Sequence, residues 1–149
     1  MRQTVRMGRL GFSLLLSVAL GACASVALVA SANIALERST REGRFHVALL
    51  APTEGVLVHR LHAWQVRVTT HGGAPLRGGR VYLTADMPEH GHGLPTRPVS
   101  AGETAPGVYR IDGVKFHMAG HWVLTVAVNA GGQEDTALFD LKLDWPKVN

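Results

Sequence analysis

From residue 45 onward, apolar and polar side chains alternate with a period of two, and this pattern restricts the chain to extended strands. Phe45, Val47 and Leu49 alternate with His46 and Ala48; Trp64, Val66 and Val68 alternate with Gln65, Arg67 and Thr69. Val81, Leu83 and Ala85 alternate with Arg80, Tyr82, Thr84 and Asp86, and Met87 continues the apolar parity. Trp122, Leu124, Val126 and Val128 alternate with His121, Val123, Thr125 and Ala127, and Phe139, Leu141 and Leu143 with Leu138, Asp140 and Lys142. Successive side chains of a strand point to opposite faces, so each run buries one face and exposes the other. Shorter strands are predicted at Val108 to Ile111 and near Val56 to His59.

Gly- and Pro-rich turns separate the runs: His71-Gly72-Gly73-Ala74-Pro75, Ala105-Pro106-Gly107 and Ala130-Gly131-Gly132-Gln133. No helical stripe of useful length follows residue 37. Short strands at this spacing predict an all-β fold, an immunoglobulin-like antiparallel β-sandwich of about seven strands over residues 44–145. The one cysteine, Cys23, lies outside that region, so the domain has neither disulfide nor thiolate and must be held by its apolar core.

The chain before this region has a different character. Arg2, Arg6 and Arg9 precede residues 11–36, which carry no charge. That run is long enough to cross a bilayer as an N-terminal apolar helix, either transmembrane or signal. Three fates compete. Ala22-Cys23-Ala24 and Ala30-Ser31-Ala32 are small-x-small sites at which a signal peptide would be cleaved. Leu20-Gly21-Ala22-Cys23 resembles a bacterial lipobox. The favoured reading is an uncleaved signal anchor over residues 1–36, whose three arginines hold the N-terminus in the cytoplasm. The charged residues 37–43 then read as a linker. All three fates place the domain outside the cytoplasm, and the anchor places it in the periplasm of a bacterial cell envelope.

Without those three arginines, twelve of the fifteen basic residues remain against all eleven acids, a net of +1. No basic stripe remains to bind nucleic acid. Catalytic motifs are also missing: there is no G-x-S-x-G, no H-E-x-x-H and no phosphate-binding glycine loop. The chain is not expected to be an enzyme.

Two segments can carry chemistry. Met87-Pro88-Glu89-His90-Gly91-His92-Gly93 places two of the chain's eight histidines and a methionine in a turn. Phe116-His117-Met118-Ala119-Gly120-His121-Trp122 supplies two more histidines and a second methionine just before a strand. Imidazole with thioether and without thiolate favours copper, and methionine favours Cu(I); Glu89 keeps zinc open. The expected metal site is His90 and His92 as primary ligands, completed by Met87 and Met118, with His117 or His121 as further donors. Two other readings stay open. The His-Gly-His-Gly segment is a tight loop whose rings bond to backbone, or it is an edge that docks on a membrane partner without metal. His46, outward on its strand, and His71, in a turn, read as solvated surface residues.

Leu61-His62-Ala63-Trp64, Gly79-Arg80-Val81, the Met87 to Thr96 segment, Gly107-Val108-Tyr109-Arg110-Ile111-Asp112-Gly113 and the Phe116 to Trp122 segment together resemble the YtkA-like and FixH-like families of bacterial domains. The resemblance spans roughly residues 44 to 143. It implies a membrane-tethered extracytoplasmic β-sandwich. FixH-like proteins are linked to assembly of haem–copper respiratory oxidases and to copper transport. The implied role is therefore an accessory protein that binds copper, with an oxidase or a copper transporter as membrane partner. The pattern carries over to Met87, His90, His92, Phe116, Met118 and Trp122. Ala119 stands where the pattern expects proline, and His121 falls outside it.

Overall fold

The computed structural model describes residues 35–145, and in it the alternating runs become the strands of two antiparallel sheets. In chain order the strands are β1 (Ala35–Ser39), β2 (Phe45–Leu50), β3 (Leu61–Thr70), β4 (Arg80–Met87) and β5 (His92–Gly93). They continue with β6 (Val99–Ala105), β7 (Val108–Lys115), β8 (Gly120–Ala130) and β9 (Gln133–Leu143). One sheet has the order β1-β2-β3-β7-β6 and the other β5-β4-β8-β9. With β2 counted as strand A, these are the A-B-E-D and C-F-G orders of an immunoglobulin constant-type sandwich. β1 is added at one edge and the two-residue β5 at the other.

The inward parity is the one the alternation predicts. Val47 and Leu49, Trp64, Val66 and Val68, and Tyr109 and Ile111 are buried from the first sheet. Val81, Leu83, Ala85 and Met87, Trp122, Leu124, Val126 and Val128, and Ala137 and Phe139 are buried from the second. Each such large side chain contributes roughly 1.5–3 kcal/mol by leaving water, which is how a domain of this size holds without a crosslink.

Polar groups inside the sandwich are spent on pinning loops. The Tyr109 hydroxyl donates to the Leu76 carbonyl at 2.7 Å and accepts the Gly79 N–H at 3.0 Å, tying the β3–β4 connection to β7. Asp135 is buried at the start of β9. It accepts the backbone N–H groups of Glu42, Arg44 and Thr136, which closes the β1–β2 turn onto the second sheet.

Three sequence expectations change. Residues 37–43, read as a linker, instead supply most of β1 and its turn. β1 pairs with β2 from Ala35↔Leu50 to Ser39↔His46. Its charged side chains, Glu37 and Arg38, are exposed, as suits a sheet edge that must not pair further. The strand expected near Val56 to His59 is a loop: His59 sits at φ 65°, which breaks an extended run. That loop is fastened by buried His62, whose Nε2 lies 2.8 Å from the Leu57 carbonyl. Finally, nine strands are present among the described residues, where about seven were expected, because β1, β5 and β6 carry no alternating signal. The N-terminal apolar helix, transmembrane or signal, lies outside the described residues. Among those residues, no helix is long and apolar enough to cross a membrane.

Candidate functional site

β4 ends on Met87, whose side chain is buried at the rim of the core. The Met87 carbonyl then accepts two N–H groups, from His90 at 3.0 Å and from Gly91 at 2.9 Å, which curls the chain through one helical turn. Gly91, at φ 67°, terminates that turn in the left-handed region and sends the chain back as β5. His92 is thereby placed directly opposite Met87. Directly opposed residues of an antiparallel pair share a face, so the His92 ring comes over the same end of the core as the Met87 thioether.

The second arm leaves β7 at Lys115. Phe116 is buried, and its carbonyl accepts the His59 N–H at 2.7 Å. The Met118 carbonyl accepts the Trp122 Nε1–H at 3.1 Å, which folds the arm back over the indole. β8 opens at Gly120, whose φ is 129°. A Cβ there would overlap the Met87 Cε methyl, so the absence of a side chain at Gly120 makes room for Met87. β8 pairs with β4 up to Asp86↔Val123, and this pairing brings the two arms together.

The meeting point is a row of imidazoles over an indole. The His92 and His117 ring centroids lie 4.7 Å apart. Both stand edge-on to Trp122, at 5.8 Å and 5.7 Å. The exposed His90 ring is 5.7 Å from His92 on the outer side. Phe116 closes the other side of Trp122 at 5.1 Å. The Nδ1 atoms of His92 and His117 are buried and have no hydrogen-bond partner in the protein. A buried polar atom without a partner costs about 1–3 kcal/mol and calls for an explanation. Burial, followed by the neighbouring His92, His59 and Lys115, pushes the His117 pKa down. His117 is therefore a neutral imidazole at neutral pH, the form with a free lone pair.

The expected site residues occupy distinct positions. Met87 is in the core corner, His92 is half-buried in the row, His90 is exposed at its outer end, and Met118 is partly buried against the core. Among the described residues, no group of three or more His, Cys, Asp or Glu side chains is placed to hold a metal ion. The donors on offer are two imidazoles and two thioethers. The sequence offered His117 or His121 as a further donor, with His121 outside the family pattern. The structure separates them: His117 lies against His92, whereas His121 is on the outer face of β8, bonded to Asp140 at 3.0 Å. The parity of Trp122 was the signal that could have told them apart. His59 was missed altogether, since only the fold brings its N–H to the carbonyl of Phe116, the residue before His117. His46 and His71 are exposed and stack on each other at 6.0 Å.

The family model described as YtkA-like matches residues 44–127, more than half of the chain, and the matched span includes both arms of the imidazole row. The chain belongs to the YtkA-like family. FixH-like remains a resemblance of motifs. No curated protein matches this YtkA-like chain, and no solved structure does.

Proposed function

We propose that this YtkA-like protein is an extracytoplasmic accessory protein that binds one copper ion at the imidazole row and passes it to a membrane partner, such as a copper transporter or an oxidase under assembly. The observation that carries the reading is the pair of buried, unpartnered Nδ1 atoms on His92 and His117, in rings 4.7 Å apart. A metal ion is the partner that two unpartnered imidazole nitrogens can share, and thioether sulfur from Met87 and Met118 selects for Cu(I). His92 and His117 would hold the ion, with Met87 and Met118 as sulfur donors. His90, exposed beside His92, is the outermost imidazole and the one an acceptor would meet first. Trp122 and Phe116 keep water from the inner side. No catalytic step is assigned to the protein.

In this reading residues 11–34, which carry no charge, stay in the membrane. Arg2, Arg6 and Arg9 remain on the cytoplasmic side, and the sandwich stands in the periplasm. A second reading, a docking module without metal, is favoured by the arrangement of the histidines in a row, with no three converging on one point. X-ray absorption of the copper-loaded protein separates the two. Imidazole and sulfur scattering on a single copper supports the carrier, and a spectrum with neither, from copper held adventitiously, supports the docking module.

A further inference from the structure

We infer that the end of the sandwich bearing the imidazole row rests on the bilayer itself, with Leu57, Leu61 and Trp145 set into its interfacial layer. The inference rests on the anchoring part of the proposed function and is independent of copper. Its first support is the missing linker. β1 begins at Ala35 and Leu36 already packs against the core, while the uncharged stretch runs up to Leu36. Of residues 11–34, which carry no charge, about 20 suffice to cross a bilayer, so only a few remain before β1, and at no more than about 3.6 Å each they keep the domain close to the lipid.

The second support is which end the chain enters. Ala35 pairs with Leu50, Leu61 with Lys115, Met87 with His92 and Gly120 with Leu143. The start of β1 therefore shares one end of the sandwich with the β4–β5 turn and the arm from Phe116 to Gly120. Among the described residues, three of the five large exposed apolar side chains belong to this end: Leu61 at 67 %, Trp145 at 59 % and Leu57 at 42 % exposure. Beside them a groove of about 520 Å³ opens between Leu36, Val56, Leu141 and Trp145. Tryptophan at a membrane–water boundary, with apolar side chains pointing past it, is the chemistry of an interfacial contact. Arg60, Lys115 and Lys142 are balanced in sequence by Glu54, Glu89 and Asp144, so the contact is apolar and insensitive to salt.

The consequence concerns access. The His59 ring lies 6.2 Å from Trp145, and the His59 N–H donates to the carbonyl of Phe116, the residue before His117, at 2.7 Å. The row is therefore contiguous with the lipid-facing rim, and a partner reaches it sideways, from within the membrane plane.

The test uses the full chain with Cys23→Ser, in vesicles of phosphatidylethanolamine and phosphatidylglycerol. Single cysteines at Leu57, Leu61, Gln133 or Ala24 carry an environment-sensitive fluorophore, and lipids bearing a nitroxide near the headgroup or deep in the acyl chain act as quenchers. The expected result is severalfold stronger headgroup-level quenching at Leu57→Cys and Leu61→Cys than at Gln133→Cys on the opposite end, unchanged by salt. Equal, weak quenching at all three, with Ala24→Cys quenched by the deep nitroxide, overturns the docking while leaving the anchor intact. An unquenched Ala24→Cys overturns the anchor and the docking with it.

Discussion

Replacing Gly120 with alanine tests the corner on which the site is built. Two costs follow from the geometry. Gly120 sits at φ 129°, where any side chain is strained, and a residue held there costs about 1–3 kcal/mol. The new Cβ also overlaps the Met87 Cε methyl. Met87 is 1 % exposed and part of the core cluster, so its methyl must shift within the core, and such overpacking adds about 1–3 kcal/mol. Urea unfolding of a fragment beginning at Ser31, which retains β1, should show Gly120→Ala less stable by about 2–5 kcal/mol. Met87→Ala alone should cost a similar amount, about 2–5 kcal/mol, through the cavity it leaves. The double variant keeps the backbone strain and loses the overlap. It should therefore be more stable than the sum of the two predicts, by about 1–3 kcal/mol. Additivity within about 0.5 kcal/mol would refute the claim that Gly120 and Met87 share one space.

Tyr109→Phe strips the partner from both the Leu76 carbonyl and the Gly79 N–H and should cost about 1–3 kcal/mol in chemical unfolding; a neutral result would mean water replaces the hydroxyl. Asp135 is pushed upward by burial, but hydrogen bonds from Thr40 and from the N–H groups of Glu42, Thr136 and Arg44 outweigh this and hold its carboxyl below the usual value. Its contribution is therefore fully present above the unfolded pKa of about 4 and lost as pH falls through the folded one. Asp135→Asn should be destabilised near neutral pH and show a shallower acid-side fall; an identical slope would contradict the assignment. His62→Phe should leave the fold intact and speed amide hydrogen exchange across residues 51–60, because the ring fastens Leu57; unchanged exchange would show that the loop is held by other contacts.

What could be read from the sequence follows from which residues report on a neighbour. Trp64, Val81, Met87 and Trp122 alternate because each faces the opposite sheet, and their parity is right throughout. Ser100 to Ala105 in β6 face mostly solvent, and β6 pairs with β7 through two irregularities, so no period of two survives there. β1 was obscured for a related reason, since the charges that protect a sheet edge also look like a linker. In the site, Met87 and His92 were visible because one turn contains both. The place of His117 beside His92 depends on the register of β4 against β8, which no local pattern encodes. The crowding of Met87 on Gly120 is long-range in the same way.

The central claim is that His92 and His117 share one copper ion. The direct measurement is a Cu(I) titration of the Ser31–Asn149 fragment against a competing chelator, alongside His90→Ala and the His92→Ala/His117→Ala pair. The expected result is one-to-one binding tighter than about 1 μM, retained in His90→Ala and abolished in the paired variant with its strands intact by circular dichroism. Unchanged affinity in the folded paired variant would contradict it.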